Sequence, residues 1–282
     1  MAAIPLSPKR DLPSRIHLQR NKNYHRHPSI KIKTPGAAAK FVGEVGFCLL
    51  FPDNRYDLPN LMEAVHGGPH PGLVEWSDEV DNVWHWHQVL AAQRKIAEAH
   101  YFLNKPTLIS PALLPFFLTL EAHRERSIDF RTEQDVELVK EALGSMGPTP
   151  SLTLRRSVGM EGNVGHSRFD RAIAFLQRNL VVLKVGGVVE TGTWSSVVFD
   201  LASRAFPEAV RQSARIIPAQ ARGKILLAYL KTAVALDQAQ PQKLFNWPKP
   251  DFDQAVQTLI AHRKARIGPV PSISLQALIA CK

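Results

Sequence analysis

From residue 131 onward the apolar positions recur first at the spacing of helices and then at that of strands. Val136, Val139, Leu143 and Met146 share one helical face, opened by the capping-box pattern Thr132-Glu133-Gln134-Asp135 and broken at Gly144-Ser145-Met146-Gly147-Pro148. Thr149-Pro150-Ser151 opens a short second helix over 152–158, which ends near Gly159. After a turn at 162–165, Ser167 stands as the N-cap of a third helix reaching Asn179. Its apolar stripe is Phe169, Ile173, Leu176 and, one turn on, Leu180. The β-branched run Val181-Val182-Leu183-Lys184-Val185, the turn Gly186-Gly187 and the segment Trp194-Ser195-Ser196-Val197-Val198-Phe199 predict a two-stranded ribbon. Helix, short helix, third helix, ribbon is the order of a winged helix-turn-helix, and the pattern places one at 131–205.

The pattern repeats. Phe169-Asp170-Arg171-Ala172-Ile173-Ala174-Phe175-Leu176 recurs 83 residues later as Phe252-Asp253-Gln254-Ala255-Val256-Gln257-Thr258-Leu259, with Phe, Asp, Ala and Leu identical. Around it the spacing predicts a helix over 219–236, a short one over 241–246, a turn at Trp247-Pro248-Lys249-Pro250, a helix over 252–265 and a strand over 267–273. A second winged-helix-like module is therefore expected at 207–282. Upstream, Thr34-Pro35-Gly36 opens a helix over 37–45, Phe47-Cys48-Leu49-Leu50-Phe51 is a short strand, and Asp57 caps a helix over 58–65. A long helix over 83–103 and the apolar stretch 107–120, with Ser110 before Pro111 as its cap, complete a helical domain at 35–125. That domain is either a diverged winged helix or an unrelated helical cap. The fold class expected is mostly α with short β-ribbons: tandem winged helix-turn-helix modules preceded by a helical domain and a basic arm.

Charge changes the picture at the amino end. The net charge is +10, and between Lys9 and Lys33 stand Lys9, Arg10, Arg15, Arg20, Lys22, Arg26, Lys31 and Lys33 against one acid, Asp11: eight minus one, or +7. Prolines and few large apolar residues make 1–34 an extended arm suited to polyanion contact. A mitochondrial presequence has the same Arg-rich, acid-poor character. Two cysteines, Cys48 and Cys281, far apart and without Cys/His clusters, leave no zinc or disulfide framework. No apolar run reaches the ~18 residues of a membrane span. An intracellular protein without cofactors is expected, cytoplasmic or nucleoid-associated, or in an organellar matrix if the arm is a targeting segment.

In a winged helix the third helix enters the major groove and the ribbon grips the backbone. With Phe169, Ile173 and Leu176 inward, His166, Ser167, Arg168 and Arg171 project near the amino end of that helix, with Arg178 further along. Arg155 and Arg156 on the second helix and Lys184 on the ribbon are placed to reach phosphates. The same charges also suit an ordinary solvated surface. In the second module Asp251 and Asp253 oppose phosphate contact, and His262, Arg263, Lys264 and Arg266 stand as a C-terminal helix cap. Trp84-His85-Trp86-His87 lacks the helical spacing of a metal pair, so the tryptophans are expected in the core.

Phe41-Val42-Gly43-Glu44-Val45-Gly46-Phe47-Cys48, Pro106-Thr107-Leu108-Ile109-Ser110 and Phe169-Asp170-Arg171-Ala172-Ile173-Ala174-Phe175-Leu176-Gln177 resemble the AlkZ-related group of winged-helix proteins. That group is akin to the AlkZ/YcaQ crosslink-repair DNA glycosylases. The resemblance spans about 36–270 and implies fold and DNA association. It also implies a comparison of motifs. Those glycosylases carry Gln-x-Gln or Gln-x-Asp in their first winged-helix module to hold the attacking water. Here Gln238-Ala239-Gln240 falls in the last module, and Gln88 and Gln93 have no partner two positions on. Glu161, in the loop before the third helix, is the acid singled out for test. Three readings follow: a winged-helix protein binding duplex DNA, a glycosylase of the AlkZ/YcaQ type, or a structural RNA-binding component of a particle such as the ribosome.

Overall fold

Thr34 caps the helix Pro35–Val45 by accepting from the Ala37 amide at 3.2 Å, as its position before Pro35 predicts. The computed structural model describes residues 14–72, 75–125, 128–189 and 196–281. They fall into two units: residues 1–83 with 219–282, and residues 84–218. The elements are mostly helical with short β-ribbons.

In the first unit residues 14–34 of the expected extended arm are folded. Residues Ser14–Asn23 form a helix and Pro28–Ile30 a single tight turn. Arg20 is buried, donating from Nε to the Ala233 carbonyl (2.9 Å), from Nη2 to the Ala235 carbonyl (2.6 Å) and from Nη1 to Asp57 (2.8 Å). Arg26 stacks on the Tyr24 ring and bonds both Asp57 and Glu63 at 2.6 Å. Cations that look solvated in the sequence are thus consumed by carboxylates some thirty residues on. Asp57 is correspondingly not a helix cap. Asn60 caps Leu61–His66 instead, and Gly67 ends that helix in the left-handed conformation. The carboxyl-terminal part runs Pro218–Ala233, Ala239–Phe245 and Lys249–Ala261 as helices. Its strands Ala235–Leu236, Ser274–Ala280 and Ala265–Val270 pair antiparallel in that spatial order.

The second unit takes in part of the expected 35–125 domain. The helix predicted over 83–103 is Asp78–Ala92 followed, past the left-handed Arg94, by the strand Ala97–Ala99. That strand pairs with Thr107–Ile109 on one side and Val182–Val188 on the other. Ser196–Leu201 and Thr149–Pro150 continue the sheet. Sheet pairing therefore draws residues 84–122 to the 130–201 region, and the division at 125 is replaced by one at 83. Ser110 is no side-chain cap, since the cap position of Leu114–Ala122 is Leu113, with no side-chain cap bond. Leu114–Ala122 and the short helices Ala202–Ala205 and Pro207–Ser213 also lie in this unit.

Within 130–201, helix Phe130–Met146 is capped by Asp129, which accepts from the Thr132 amide at 3.0 Å, rather than by Thr132 itself. Ser151–Ser157, Gly162–Arg178, Val182–Val188 and Ser196–Leu201 follow. Val136, Val139, Leu143, Leu154, Phe169, Ile173 and Leu176 build one core with Met160 and Phe199, whereas Met146 is exposed. Trp194 and Ser195 lie outside the described residues.

Candidate nucleic-acid interface

The helix that the apolar stripe predicts from Ser167 begins five residues earlier, at Gly162. Its first turn reads as a loop because it contains two glycines. One of them is required by packing: a Cβ on Gly165 would lie 2.5 Å from the Met160 carbonyl carbon, so helix and loop meet backbone to backbone. Ser167 consequently sits inside the helix, its hydroxyl donating to the Asn163 carbonyl at 3.3 Å. The exposed positions of the first turns are Gly162, Asn163, Val164, His166 and Ser167.

The cations near this helix divide into tied and open ones. Arg168 is tied. Its Nε donates to Oδ2 of Asp135 at 3.0 Å and its Nη2 to Oδ1, and Asp135 is itself buried on Phe130–Met146. His166 stands 3.6 Å from Asp170, and Arg156 3.5 Å from Glu161. Arg171 is exposed beside Asp129, whose carboxyl is held below its ordinary value by hydrogen bonds from Thr132 with a smaller attraction from Arg171. Arg178 is exposed and donates to the Ala174 carbonyl. Arg155 is half-buried, its Nε without a partner among the described residues, over a cleft of about 230 Å³ lined by Ser151, His166, Phe169, Asp170 and Phe199.

Lys184 is not the open phosphate contact that its place on the ribbon suggests. Its side chain is 13% exposed, 3.4 Å from Glu98 Oε1, and donates to His100 Nε2 at 3.0 Å. Glu98, 1% exposed, pairs through its other oxygen with His87 Nδ1 at 2.7 Å. Burial alone would raise the Glu98 pKa, but the attraction of His87 and Lys184 outweighs it and holds the group at about 2. Burial and Lys184 together lower His100 to about 4. Gln177 accepts from the His100 amide at 3.1 Å. This polar group escaped the sequence pattern. Its one signal was an acid, Glu98, standing alone in the apolar run Ile96-Ala97-Glu98-Ala99. Of the four residues 84–87, Trp86 is buried and Trp84 half-buried. His87 is buried too, while His85 is exposed.

The remaining cations of the expected arm are scattered. Lys9 and Arg10 lie outside the described residues. Arg15, Lys22 and Lys33 are exposed, Lys31 pairs with Glu79 at 3.2 Å, and Arg20 and Arg26 are structural. Gln238 caps nothing with its side chain and donates to the Gln276 carbonyl at 2.8 Å, and Gln240 is exposed. No glutamine stands between Gln19 and Gln88. No helix among the described residues is long and apolar enough to cross a membrane.

Comparison with known proteins places this geometry. The fold is similar to that of the Streptomyces sahachiroi DNA glycosylase AlkZ, with a TM-score of 0.57 and 13% sequence identity over 93% of this chain and 69% of that one. No curated protein matches the chain. The profile of the family described as AlkZ related matches residues 32–246, about three quarters of the 282 residues. The chain belongs to the AlkZ-related family.

Proposed function

We propose that the protein binds duplex DNA through winged-helix modules and works in DNA repair. The observation that carries this reading is its membership of the AlkZ-related family, and the likeness of its fold to a DNA glycosylase supports it. The order helix, short helix, helix, ribbon occurs twice, at 130–201 and 218–280, which is the order of tandem winged helices. On this reading the outer face of Gly162–Arg178 enters the major groove. Ser167, Arg171 and Arg178 then face the DNA while Arg168 holds the module together through Asp135. Neither the family nor the solved relative speaks for a ribosomal role. The test is fluorescence anisotropy with a mixed-sequence duplex over a salt series. Binding whose affinity falls as salt rises is expected, and no binding at low salt overturns the reading.

Base excision is the second reading, favoured by the solved relative being a glycosylase. With no glutamine from residue 20 to 87, excision on this reading would run without the Gln-x-Gln or Gln-x-Asp pair of the AlkZ/YcaQ enzymes. An alkylated or crosslinked duplex decides it. Accumulation of abasic sites establishes excision, and intact bases on a bound duplex assign a binding role alone. Gln240→Ala leaves either outcome unchanged, given its exposed position in the last module.

A further inference from the structure

The end of helix Lys249–Ala261 is closed by main chain. The amides of His262, Arg263 and Lys264 donate to the carbonyls of Thr258, Ile260 and Leu259 at 3.1, 2.9 and 2.9 Å. Of the side chains expected to cap this helix, His262 does so, its Nδ1 donating to the Thr258 carbonyl at 2.8 Å, while Arg263, Lys264 and Arg266 show no such bond among the described residues. Arg263, Lys264 and Arg266 are all exposed. The nearest preceding acids are already engaged, Asp251 by Arg222 at 2.6 Å and Asp253 by Lys249, and no Asp or Glu follows Asp253. Three cations thus stand together without an ion pair among the described residues.

They stand at the base of the ribbon Ala265–Val270 and Ser274–Ala280. One face buries Val270, Ala277 and Ile279 in a common cluster with Ala235, and Leu278 is buried on the other. Gly268 faces Ala277 and Val270 faces Ser274, so Leu275 and Gln276 together oppose Pro269. A bulge of this kind re-aims side chains. Leu275 is 82% exposed and Ile267, on the other strand, 43%. A ribbon with an apolar tip and unneutralised cations at its base matches what nucleic-acid backbone offers: phosphates for the cations, and sugars and base edges for the apolar side chain.

We propose that this ribbon is a second duplex-DNA contact, with Arg263, Lys264 and Arg266 on backbone phosphates and Leu275 against the sugars of the adjoining groove. The proposal rests on the duplex-binding reading above. Its test is the triple variant Arg263→Ala, Lys264→Ala, Arg266→Ala, titrated with a mixed-sequence duplex over a salt series. The plot of log affinity against log salt should become shallower by about 2–3, low-salt affinity should fall at least tenfold, and the melting temperature should hold. Arg263→Lys with Arg266→Lys should keep the wild-type slope, because a point charge suffices for phosphate. Leu275→Ser should weaken binding at every salt concentration without changing the slope. Should the triple variant melt early, Lys264→Glu at its exposed site should make the slope shallower by about 1 and weaken binding in the same direction. Wild-type affinity and slope in a folded triple variant overturn the ribbon contact while leaving duplex binding intact. A wild-type protein that binds no duplex overturns both.

Discussion

The regions 130–201 and 218–280 share a local design down to single side-chain contacts. Phe169 and Phe252 are both buried in their cores, and the aspartate after each pairs with a base four positions before it: His166 with Asp170, Lys249 with Asp253. They differ in what becomes of their other cations. In the first region Arg168 is taken by the buried Asp135 and Lys184 by the buried Glu98. In the second, Arg263, Lys264 and Arg266 remain open to solvent. On the duplex-binding reading, counting charges along the chain ranks the first region as the stronger contact. Counting charges that are still available brings the second level with it. What a nucleic acid meets is the residue left over after the fold has neutralised its own buried acids.

The largest effects should fall where the two regions are alike. Phe169→Ala and Phe252→Ala each open a core cavity, at a cost of about 3–5 kcal/mol, and thermal melting should show comparable losses. A much smaller loss for Phe252→Ala would mean that the repeat is one of sequence and not of packing.

Next comes a contrast between arginines. Arg168→Ala strands the buried Asp135 carboxylate, so the melting temperature should fall clearly. Arg266→Ala removes an exposed cation that has no ion pair among the described residues and should leave melting nearly unchanged. Equal melting of the two variants would erase the distinction between tied and open charge.

Acid should separate the two ribbons. His100 is lowered from 6.5 to about 4, so the stability it brings is complete above pH 6.5 and is lost as pH falls from there toward 4. Glu98 is lowered from 4.5 to about 2, so its contribution is present above pH 4.5 and is lost as pH falls toward 2. Both act in the same sense. Amide exchange, referred to intrinsic rates, should show Val182–Val188 losing protection below pH 6.5, while Ala265–Val270, which contains no acid, changes less. His100→Gln should flatten the upper part of that loss.

The smallest effect on folding is expected for Arg171→Ala, within about ±0.5 kcal/mol as for other exposed sites. Its effect on duplex affinity should be several-fold. An unchanged affinity would leave Arg178 and Ser167 as the groove contacts to examine.

Much of this was legible in local pattern. Thr34 caps where expected, the stripe Phe169, Ile173, Leu176 is core, and the two short helices lie within a residue or two of their predicted places. What local pattern missed was decided by distant partners. Arg20 and Arg26 look solvated until Asp57 and Glu63 are folded against them. Ala97–Ala99 continues a helical period but is claimed by Val182–Val188. Glycines at 162 and 165 suggest a turn, yet one of them is there so that two backbones can touch. The tied state of Arg168 depended on Asp135, thirty-three residues earlier on another helix, and no periodicity announces such a pair.

The bonds from Arg20 to the carbonyls of Ala233 and Ala235 also set an order of events during synthesis. They join positions 213 and 215 residues apart. At ribosomal rates of 5–20 residues per second, about ten to forty seconds separate the two ends of that clasp. Residues 84–218 are contiguous and emerge whole in that interval, so all their segments are available to one another before Arg20 meets Ala233 and Ala235, with Asp57 the partner it can find early.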